Sequence, residues 1–336
     1  MRVVRLHGPG ELRLHEEPVP VPVQGESLVR VTAVGLCGSD LHWVAAGRIG
    51  ANRASEGLIL GHEFAGVVES GPRRGERVAV DPAIPCETCY FCKQGKPNLC
   101  TNLYFAGQGA EDGALREYVA WPDRCLFPLP DALSDADGAM LEPLGVALHS
   151  VGLGQVRLGD TVGVFGCGPI GLLILQTARA AGASRLIATD VLAHRLAAAS
   201  SLGATVILAK GGEEVAEVLA ATDGQGLDVA FDAAGERAAV EAAVAAAGAG
   251  SRIVLVGIQA DDLTAFNASQ ARRKELSIQV VHRMRDTYPR AIDLVRRGAV
   301  DVRSLVTSRF PLEQAAEAFA AAQRRDGLKV LIEPGG

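Results

Sequence analysis

Two patterns of hydrophobic and polar positions divide the chain. Up to about residue 135, short β-branched runs such as 29–34, 66–69 and 77–80 are separated by Gly or Pro every few residues, which is typical of a β-rich, irregular region. Beyond about residue 150, short apolar runs alternate with alanine-rich stretches. The first pair is a strand predicted over 161–165 and a helix predicted over 170–181, whose apolar side chains share one face. This alternation predicts βαβ units and a parallel sheet.

In this second region, further strands are predicted over 186–189, 206–208, 229–232 and 253–256, and a further helix over 193–202. In the last fifty residues the pattern is mixed again, with a helix predicted over 291–297 and a closing strand over 329–332. We therefore predict an α/β protein in which a doubly wound, nucleotide-type domain interrupts a β-rich one. The predicted bounds are 1–147 and 285–336 for the β-rich domain and 148–284 for the inserted domain.

Composition narrows the class of function. The 336 residues are 48% hydrophobic and 21% charged, which suits a globular protein with a sizeable core. A net charge of −6 and an aromatic content of 4% argue against a protein that binds nucleic acid or an anionic membrane. The N-terminus lacks the apolar core of a secretory signal, and the longest apolar stretch, 162–175, is too short to span a bilayer. We therefore expect a cytoplasmic protein.

Four of the seven cysteines lie within fifteen residues, in the segment 82–104. They are Cys86, Cys89, Cys92 and Cys100. This spacing allows one loop to converge four thiolates on a tetrahedral structural zinc, which leaves no position for substrate. An iron–sulfur cluster is the main alternative, but in the ferredoxin motif the fourth cysteine follows after three residues, whereas in this chain seven intervene. The spacing favours zinc.

A glycine-rich loop joins the first predicted strand of the inserted domain to the helix that follows it. It reads Gly166-Cys167-Gly168-Pro169-Ile170-Gly171. Its glycines allow a tight turn and a close approach of backbone to pyrophosphate at a helix N-terminus. Asp190 ends the next predicted strand, 19 residues after Gly171, where a carboxylate accepts hydrogen bonds from the ribose hydroxyls and repels a 2′-phosphate. The motif predicts NAD binding, with Arg195 near the adenosine ribose.

A second set of metal-competent residues lies earlier in the chain. Taken singly, Cys37 and the pair His62-Glu63 are more often packing residues than ligands. Together they offer a thiolate, an imidazole and a carboxylate, and three protein ligands leave a fourth position open, as in catalytic zinc sites. Spacing alone leaves both interpretations open.

In their order along the chain, these motifs resemble those of the zinc-dependent medium-chain dehydrogenase/reductases, and most closely the sorbitol/xylitol (polyol) dehydrogenase branch. The matching segments, besides the glycine loop with Asp190 and the four-cysteine lobe, are 35–43, 47–50, 61–63, 141–144, 287–289 and 305–312. The resemblance implies a GroES-like catalytic domain interrupted by a Rossmann domain, with the active site in the cleft between them. It also implies two zinc ions per chain, NAD as cofactor, and a dimer or tetramer, most simply a homotetramer.

The resemblance also assigns roles to individual residues. It makes Cys37, His62 and Glu63 the ligands of a catalytic zinc, and Glu142 a residue that holds a water at the metal or approaches it directly. Ser39 and His42 match positions that release a proton towards solvent. Substrate contacts are implied for Trp43, Phe105 and Arg283, and nicotinamide contacts for Val256, Gly257, Ile258, Val281 and His282.

Three departures from the branch lie next to the expected substrate. Trp43 stands where polyol enzymes usually carry Tyr, Met284 follows Arg283 where Tyr is common, and His282 replaces a usual aromatic. A vicinal polyol remains the expected substrate, and sorbitol itself is left open. The alternatives are an L-threonine 3-dehydrogenase or secondary-alcohol dehydrogenase of the same superfamily, and a non-enzymatic nucleotide-binding relative, which would be expected to lack the Cys and His ligands.

Overall fold

The structure is a computed structural model that describes residues 1–335. Its strands are β1 (Arg2–Leu6), β2 (Leu12–Glu16), β3 (Glu26–Gly35), β4 (Arg48–Ile49), β5 (Asn52–Arg53), β6 (Glu63–Val68), β7 (Arg77–Val80), β8 (Ala83–Ile84), β9 (Tyr104–Phe105), β10 (Tyr118–Pro122), β11 (Leu126–Pro128), β12 (Thr161–Phe165), β13 (Arg185–Asp190), β14 (Thr205–Leu208), β15 (Leu227–Asp232), β16 (Ala247–Leu255), β17 (Ser277–Val280), β18 (Val306–Pro311) and β19 (Lys329–Glu333). Its α-helices are α1 (Gly38–Ala46), α2 (Tyr90–Lys93), α3 (Asp135–Ala139), α4 (Leu141–Leu153), α5 (Pro169–Ala180), α6 (Ala193–Ser201), α7 (Glu214–Ala221), α8 (Arg237–Ala246), α9 (Ala268–Arg273), α10 (Tyr288–Arg296) and α11 (Ala315–Arg324).

Contacts divide the chain into two compact units. The first consists of Met1–Glu142 together with the segment from Arg285 onward, and the second is Pro143–Met284. The division falls inside α4, the helix that also contains residue 147, where the sequence places its domain boundary. The mixed α/β fold expected from the sequence, with a β-rich unit interrupted by a parallel-sheet unit, is confirmed.

The first unit is built on a seven-stranded sheet in the order β11-β7-β6-β3-β19-β18, with β10 also paired to β3. Along β3, side chains alternate between buried and half-buried, because one sheet face packs into the core and the other is partly open. The C-terminal strand β19 runs antiparallel to β3, with Leu331 opposite Gly35. Gly35 in turn lies opposite Glu63 of β6, so the last strand of the chain reaches the start of β6 across a single strand.

The second unit is a six-stranded sheet in the order β14-β13-β12-β15-β16-β17, all of whose pairs are parallel. The strand order reverses between β12 and β15, and ligands of such sheets bind at the carboxyl ends of the strands beside that point. The residues after β12, β15, β16 and β17 all lie at this edge. Among residues 1–335, no helix is long and apolar enough to cross a membrane.

Candidate active site and metal centres

Three predicted metal ligands of the first unit lie together. Cys37 follows β3 and is the N-cap residue of α1, while His62 and Glu63 lie at the start of β6, which pairs with β3. One ligand atom from each residue lies within 4.8 Å of the other two. His62 and Glu63 are buried and Cys37 is half-buried. A thiolate, an imidazole and a carboxylate at this separation fit a divalent zinc ion and leave a coordination position for another ligand.

Asp40, on α1, hydrogen-bonds one of these ligands and lies close to a second. Its Oδ2 accepts a hydrogen bond from the backbone N–H of Cys37 at 3.0 Å, and its Oδ1 lies 3.5 Å from Nδ1 of His62. Burial lowers the pKa of His62, but the nearby charges of Asp40 and Cys37 outweigh it and leave the pKa raised. A carboxylate that faces the second ring nitrogen of a histidine ligand, without binding the metal itself, orients that imidazole. Asp40 was not predicted as a site residue, although its position three residues after the N-cap is a signal for a capping box.

Lys329 is a second site residue that was not predicted from the sequence. Its side chain is buried, and its ammonium group forms an ion pair with Oε2 of Glu63. Burial lowers the pKa of Lys329, yet the charges of Glu63 and Cys37 outweigh burial and leave it raised. Gly35 of β3 lies between β19, which carries Lys329, and β6, which carries Glu63. Because it has no side chain it leaves room for this ion pair, since a Cβ there would lie 2.9 Å from Cε of Lys329. A buried carboxylate that carries its own cation can keep its charge before any metal binds.

Glu142 lies in the first turn of α4 and is also buried. Burial raises its pKa to about 8, and the charge of Glu63 adds to this effect, while that of His62 opposes it. A carboxyl group with such a pKa can take up or release a proton near neutral pH.

The remaining predicted residues of the first unit occupy different environments. Ser39 and His42 are both on α1 and both half-buried. The Phe105 ring lies 5.4 Å from the ring of His62, centroid to centroid. Trp43 is only 2% exposed and belongs to the hydrophobic core of the unit. The structure therefore brings Phe105 to the ligand cluster and packs Trp43 among apolar side chains.

The four-cysteine lobe forms a second cluster in the first unit. One ligand atom from each of Cys86, Cys89, Cys92 and Cys100 lies within 4.8 Å of the other three. The Sγ atoms of Cys89 and Cys92 are 3.5 Å apart and those of Cys86 and Cys100 are 3.4 Å apart. Tetrahedral zinc with bonds of about 2.3 Å separates its sulfurs by about 3.8 Å, so these distances fit such an ion with small adjustments and exclude disulfides. Backbone N–H groups of Cys92 and Thr101 lower the pKa of Cys89 to about 6, which favours the thiolate that a metal requires.

In the second unit, the glycine loop lies between β12 and α5, as predicted. Gly166 has φ of 101°, a conformation that glycine adopts without strain, and a Cβ at this position would lie 2.7 Å from the backbone nitrogen of Ala234. A Cβ at Gly168 would meet only Nη1 of Arg195, at 3.6 Å. The backbone at Gly168 is thus open to a ligand at the N-terminus of α5, and Arg195 lies beside it. This arrangement fits a pyrophosphate group.

Asp190 is held against this loop by its own hydrogen bonds. Its Oδ2 accepts from the backbone N–H of Cys167 at 2.7 Å and its Oδ1 from that of Leu192 at 2.8 Å. The side chain is 7% exposed. A carboxylate oxygen can accept more than one hydrogen bond, so Asp190 retains acceptor capacity for ribose hydroxyls.

The residues expected near the nicotinamide follow two neighbouring strands of the same unit. The segment 256–258 comes directly after β16, and Val281 and His282 come directly after β17. Arg283 has φ of 57°, and its charge adds to burial in lowering the pKa of His282. All of these residues lie at the sheet edge that carries the glycine loop.

Comparison with known proteins extends these local features to the whole chain. The family described as "Alcohol dehydrogenase GroES-like domain" matches residues 23–131, and that described as "Zinc-binding dehydrogenase" matches residues 169–297. Sorbitol dehydrogenase of Homo sapiens is 37% identical over 337 residues, which cover 98% of this chain and 94% of that protein. Sorbitol dehydrogenase of Bacillus subtilis (strain 168) is 34% identical over 343 residues, which cover 99% and 97%.

Solved structures agree with this result. The crystal structure of galactitol-1-phosphate dehydrogenase from Escherichia coli has a TM-score of 0.90 and 29% identity, and the match covers 99% of this chain and 100% of that one. The resemblance expected from the sequence motifs is thereby confirmed over both units. The chain belongs to the zinc-dependent medium-chain dehydrogenase/reductase family, in its polyol dehydrogenase branch.

Proposed function

We propose that this protein oxidises a secondary hydroxyl of a polyol or sugar alcohol to the ketone, giving a ketose, with NAD as the hydride acceptor. The observation that carries the proposal is the convergence of Cys37, His62 and Glu63 within 4.8 Å. Full-length similarity to sorbitol dehydrogenases supports the substrate class. The cofactors are NAD and zinc, with one catalytic and one structural ion proposed per chain.

The first unit prepares the hydroxyl for oxidation. When bound, zinc supplies a Lewis acid that lowers the pKa of an alcohol oxygen by several units. The Cys37 thiolate and the Glu63 carboxylate supply the negative charge that holds the ion, and His62 completes the set. Asp40 keeps the His62 ring oriented, and Lys329 keeps the Glu63 carboxylate in place.

A proton must leave the substrate hydroxyl before hydride can leave its carbon. Ser39 and His42, which lie on α1, provide one route for that proton towards solvent. Glu142 provides another, because a carboxyl group with a pKa of about 8 exchanges protons readily near neutral pH. Both routes use residues of the first unit.

The second unit binds the dinucleotide. NAD supplies the acceptor for the hydride. Gly166, Gly168, Pro169, Ile170 and Gly171 form the turn at the N-terminus of α5 that would hold the pyrophosphate. The donors would be backbone N–H groups other than those of Pro169, which has none, and Gly166, whose N–H donates to the carbonyl of Thr189 at 2.8 Å. Asp190 and Arg195 would face the adenosine ribose. Val256, Gly257, Ile258, Val281 and His282, which follow β16 and β17, would line the nicotinamide.

The substrate class is tested with a panel of compounds. Initial rates are measured from the absorbance of reduced nicotinamide with sorbitol, xylitol, butane-2,3-diol, propan-2-ol and L-threonine, each with NAD and with NADP. We expect the highest kcat/KM for a polyol with NAD. Preference for threonine or a simple secondary alcohol would overturn the polyol assignment. Phe105 and Arg283 are proposed substrate contacts. The contact expected for Trp43 is not proposed, because its side chain is only 2% exposed in the hydrophobic core. Phe105→Ala is expected to raise KM for the polyol more than KM for NAD.

Replacing Asp190 with Ser tests the choice of cofactor. The change removes two acceptor oxygens for ribose hydroxyls and the charge that repels a 2′-phosphate. We expect Kd for NAD to rise about tenfold, as for loss of one charge-assisted hydrogen bond, and the NAD/NADP preference to fall by more than that. Titration calorimetry with both dinucleotides measures the two values. An unchanged preference would show that Asp190 does not select between the two dinucleotides.

Replacing Cys100 with Ser tests the structural zinc. A missing thiolate opens the four-sulfur shell, so we expect the zinc content to fall from two ions per chain to one. The loop 86–100 should then become susceptible to limited proteolysis, because the ion is what holds its turns together. Cys125→Ser is the matched control, since Cys125 is buried elsewhere in the same unit and should leave both ions bound. Two zinc ions in the Cys100→Ser variant would contradict the assignment.

We also propose a cytoplasmic homo-oligomer, a dimer or a homotetramer. None of the seven cysteines, all of which lie within the described residues, forms a disulfide, which suits a reducing compartment. In the second unit, β17 is an edge strand, and Val280 on it is exposed. Unpaired strand edges of this kind can add a strand from a second copy. Light scattering coupled to size exclusion measures the mass, and a monomer at micromolar concentration would contradict the proposal.

A further inference from the structure

Asp232 is a buried carboxylate that the proposed mechanism does not use. It is the last residue of β15 and is fully buried. β15 lies between β12 and β16, with Asp232 opposite Phe165 on one side and Leu255 on the other. The residue therefore lies at the point where the strand order reverses, directly behind the loops that are proposed to bind the dinucleotide.

The side chain and the backbone of Asp232 hold two different loops. Its Oδ1 accepts hydrogen bonds from the backbone N–H groups of Ala234 at 3.0 Å and Gly235 at 3.2 Å. Its main-chain carbonyl accepts from the N–H groups of Val256 at 2.9 Å and Gly257 at 3.1 Å. The first loop follows β15 and the second follows β16.

These loops and the glycine loop are in direct backbone contact. A Cβ at Gly235 would lie 2.5 Å from the carbonyl oxygen of Ile258, and a Cβ at Gly257 would lie 3.0 Å from the carbonyl carbon of Ala234. A Cβ at Gly166 would lie 2.9 Å from Cα of Ala234. With no side chain between them, a shift of residues 233–235 passes directly to the segment 256–258.

Stability alone does not account for a carboxylate at this position. Its second oxygen, Oδ2, has no hydrogen-bond partner among residues 1–335. Burial raises the pKa of Asp232 to about 6, although the N–H groups of Ala234 and Gly235 oppose this. A buried, half-satisfied carboxylate costs stability, and such groups are retained where they fix a functional geometry.

We propose that Asp232 is a positioning residue for the nicotinamide half of the bound dinucleotide. Its carboxylate fixes residues 233–235, and these fix the segment 256–258 against which the nicotinamide lies. The inference rests on the proposed function, because it takes the role of residues 256–258 from there. It predicts that Asp232 affects the nicotinamide half of the cofactor more than the adenosine half. The glycine loop also contacts Ala234, but it has its own hydrogen bonds, from the N–H of Gly166 to the carbonyl of Thr189 at 2.8 Å and from the N–H of Cys167 to Asp190 at 2.7 Å.

The test compares NAD with ADP-ribose, which lacks the nicotinamide. Titration calorimetry on the zinc-loaded enzyme measures Kd for both ligands in the wild type, in Asp232→Ala and in Asp232→Asn. In Asp232→Ala we expect the ratio of Kd for NAD to Kd for ADP-ribose to rise at least about fivefold, with Kd for ADP-ribose within about twofold of the wild type. Asp232→Asn keeps one acceptor oxygen for the loop and should recover most of the ratio. KM for NAD should rise in Asp232→Ala more than KM for the polyol does.

Asp228→Ala is the matched control. Asp228 is exposed at the other end of β15, where its Oδ2 accepts from the N–H of Thr161 at 2.7 Å, so its loss should leave the ratio unchanged. Equal weakening of both ligands, or of neither, in Asp232→Ala would overturn the proposal. If that variant does not fold, Asp232→Leu, which has nearly the shape of Asp and no acceptor oxygen, carries the same comparison. Failure of the wild type to bind either ligand would instead refute the proposed function.

Discussion

Replacing Cys37 with Ser is expected to lower kcat for polyol oxidation by about three powers of ten or more, since loss of the Lewis acid removes several kcal/mol of transition-state stabilisation. A serine hydroxyl is a poor substitute for a thiolate ligand, so the catalytic ion should be lost or loosely held. The four-cysteine lobe does not involve Cys37, and the zinc content should therefore fall from two ions per chain to one.

The glycine loop lies in the other unit, so NAD binding should survive this substitution. Three measurements on one preparation show separately whether the catalytic ion, NAD binding or catalysis is lost. They are zinc content, Kd for NAD by titration calorimetry, and initial rate from nicotinamide absorbance. Cys167→Ser provides a comparison in which a buried cysteine of the second unit is changed and both ions should remain. Full activity of Cys37→Ser with two bound zinc ions would refute the assignment of Cys37 as a ligand.

The parallel-sheet unit could be predicted closely because its signals are local. The strand predicted over 161–165 coincides with β12, since a β-branched run followed by a glycine turn specifies both ends. β16 begins at Ala247, six residues before the predicted 253. The added residues, Ala-Gly-Ala-Gly-Ser-Arg, have low strand propensity, and pairing with β15 extends the strand where local sequence does not indicate one. The helices α7 and α8 were not predicted for lack of a comparable boundary signal.

The sequence predicts those site residues that a motif or a ligand chemistry marks, and it misses those that only the tertiary fold brings to the site. Cys37, His62 and Glu63 are chemically suited to zinc, but spacing alone leaves packing and ligation both open, and the family resemblance singles them out. The structure places their ligand atoms within 4.8 Å of one another. Lys329 carries no such signal, because a lysine at the start of a C-terminal strand is ordinarily a solvated charge. Its partner is fixed by the tertiary pairing of β19 with β3, which local sequence does not encode. Asp232 was missed for the same reason, since its importance lies in which loops meet at the end of β15.

Replacing Lys329 with Met is expected to destabilise the zinc-free protein by about 3–5 kcal/mol, because it leaves the Glu63 carboxylate buried without a counter-charge. Met has nearly the length of the lysine stem, so the packing around Gly35 should change little. A bound zinc ion supplies positive charge to the same carboxylate, and the loss should therefore be much smaller in the zinc-loaded protein. Urea unfolding of both forms measures the two values.

Two further variants decide whether loss of the buried Lys329–Glu63 ion pair is what destabilises the zinc-free Lys329→Met protein. Glu63→Gln combined with Lys329→Met removes both charges, so the zinc-free double variant should be more stable than Lys329→Met alone, a coupling that a packing defect would not show. Arg309→Met breaks the exposed Arg309–Glu333 pair between β18 and β19 and should cost less than about 1 kcal/mol with or without zinc. An equal loss in the zinc-free and zinc-loaded Lys329→Met proteins would show that Lys329 stabilises the fold independently of the metal site. The dependence on zinc is what ties this lysine, at the far end of the chain, to the chemistry of Glu63.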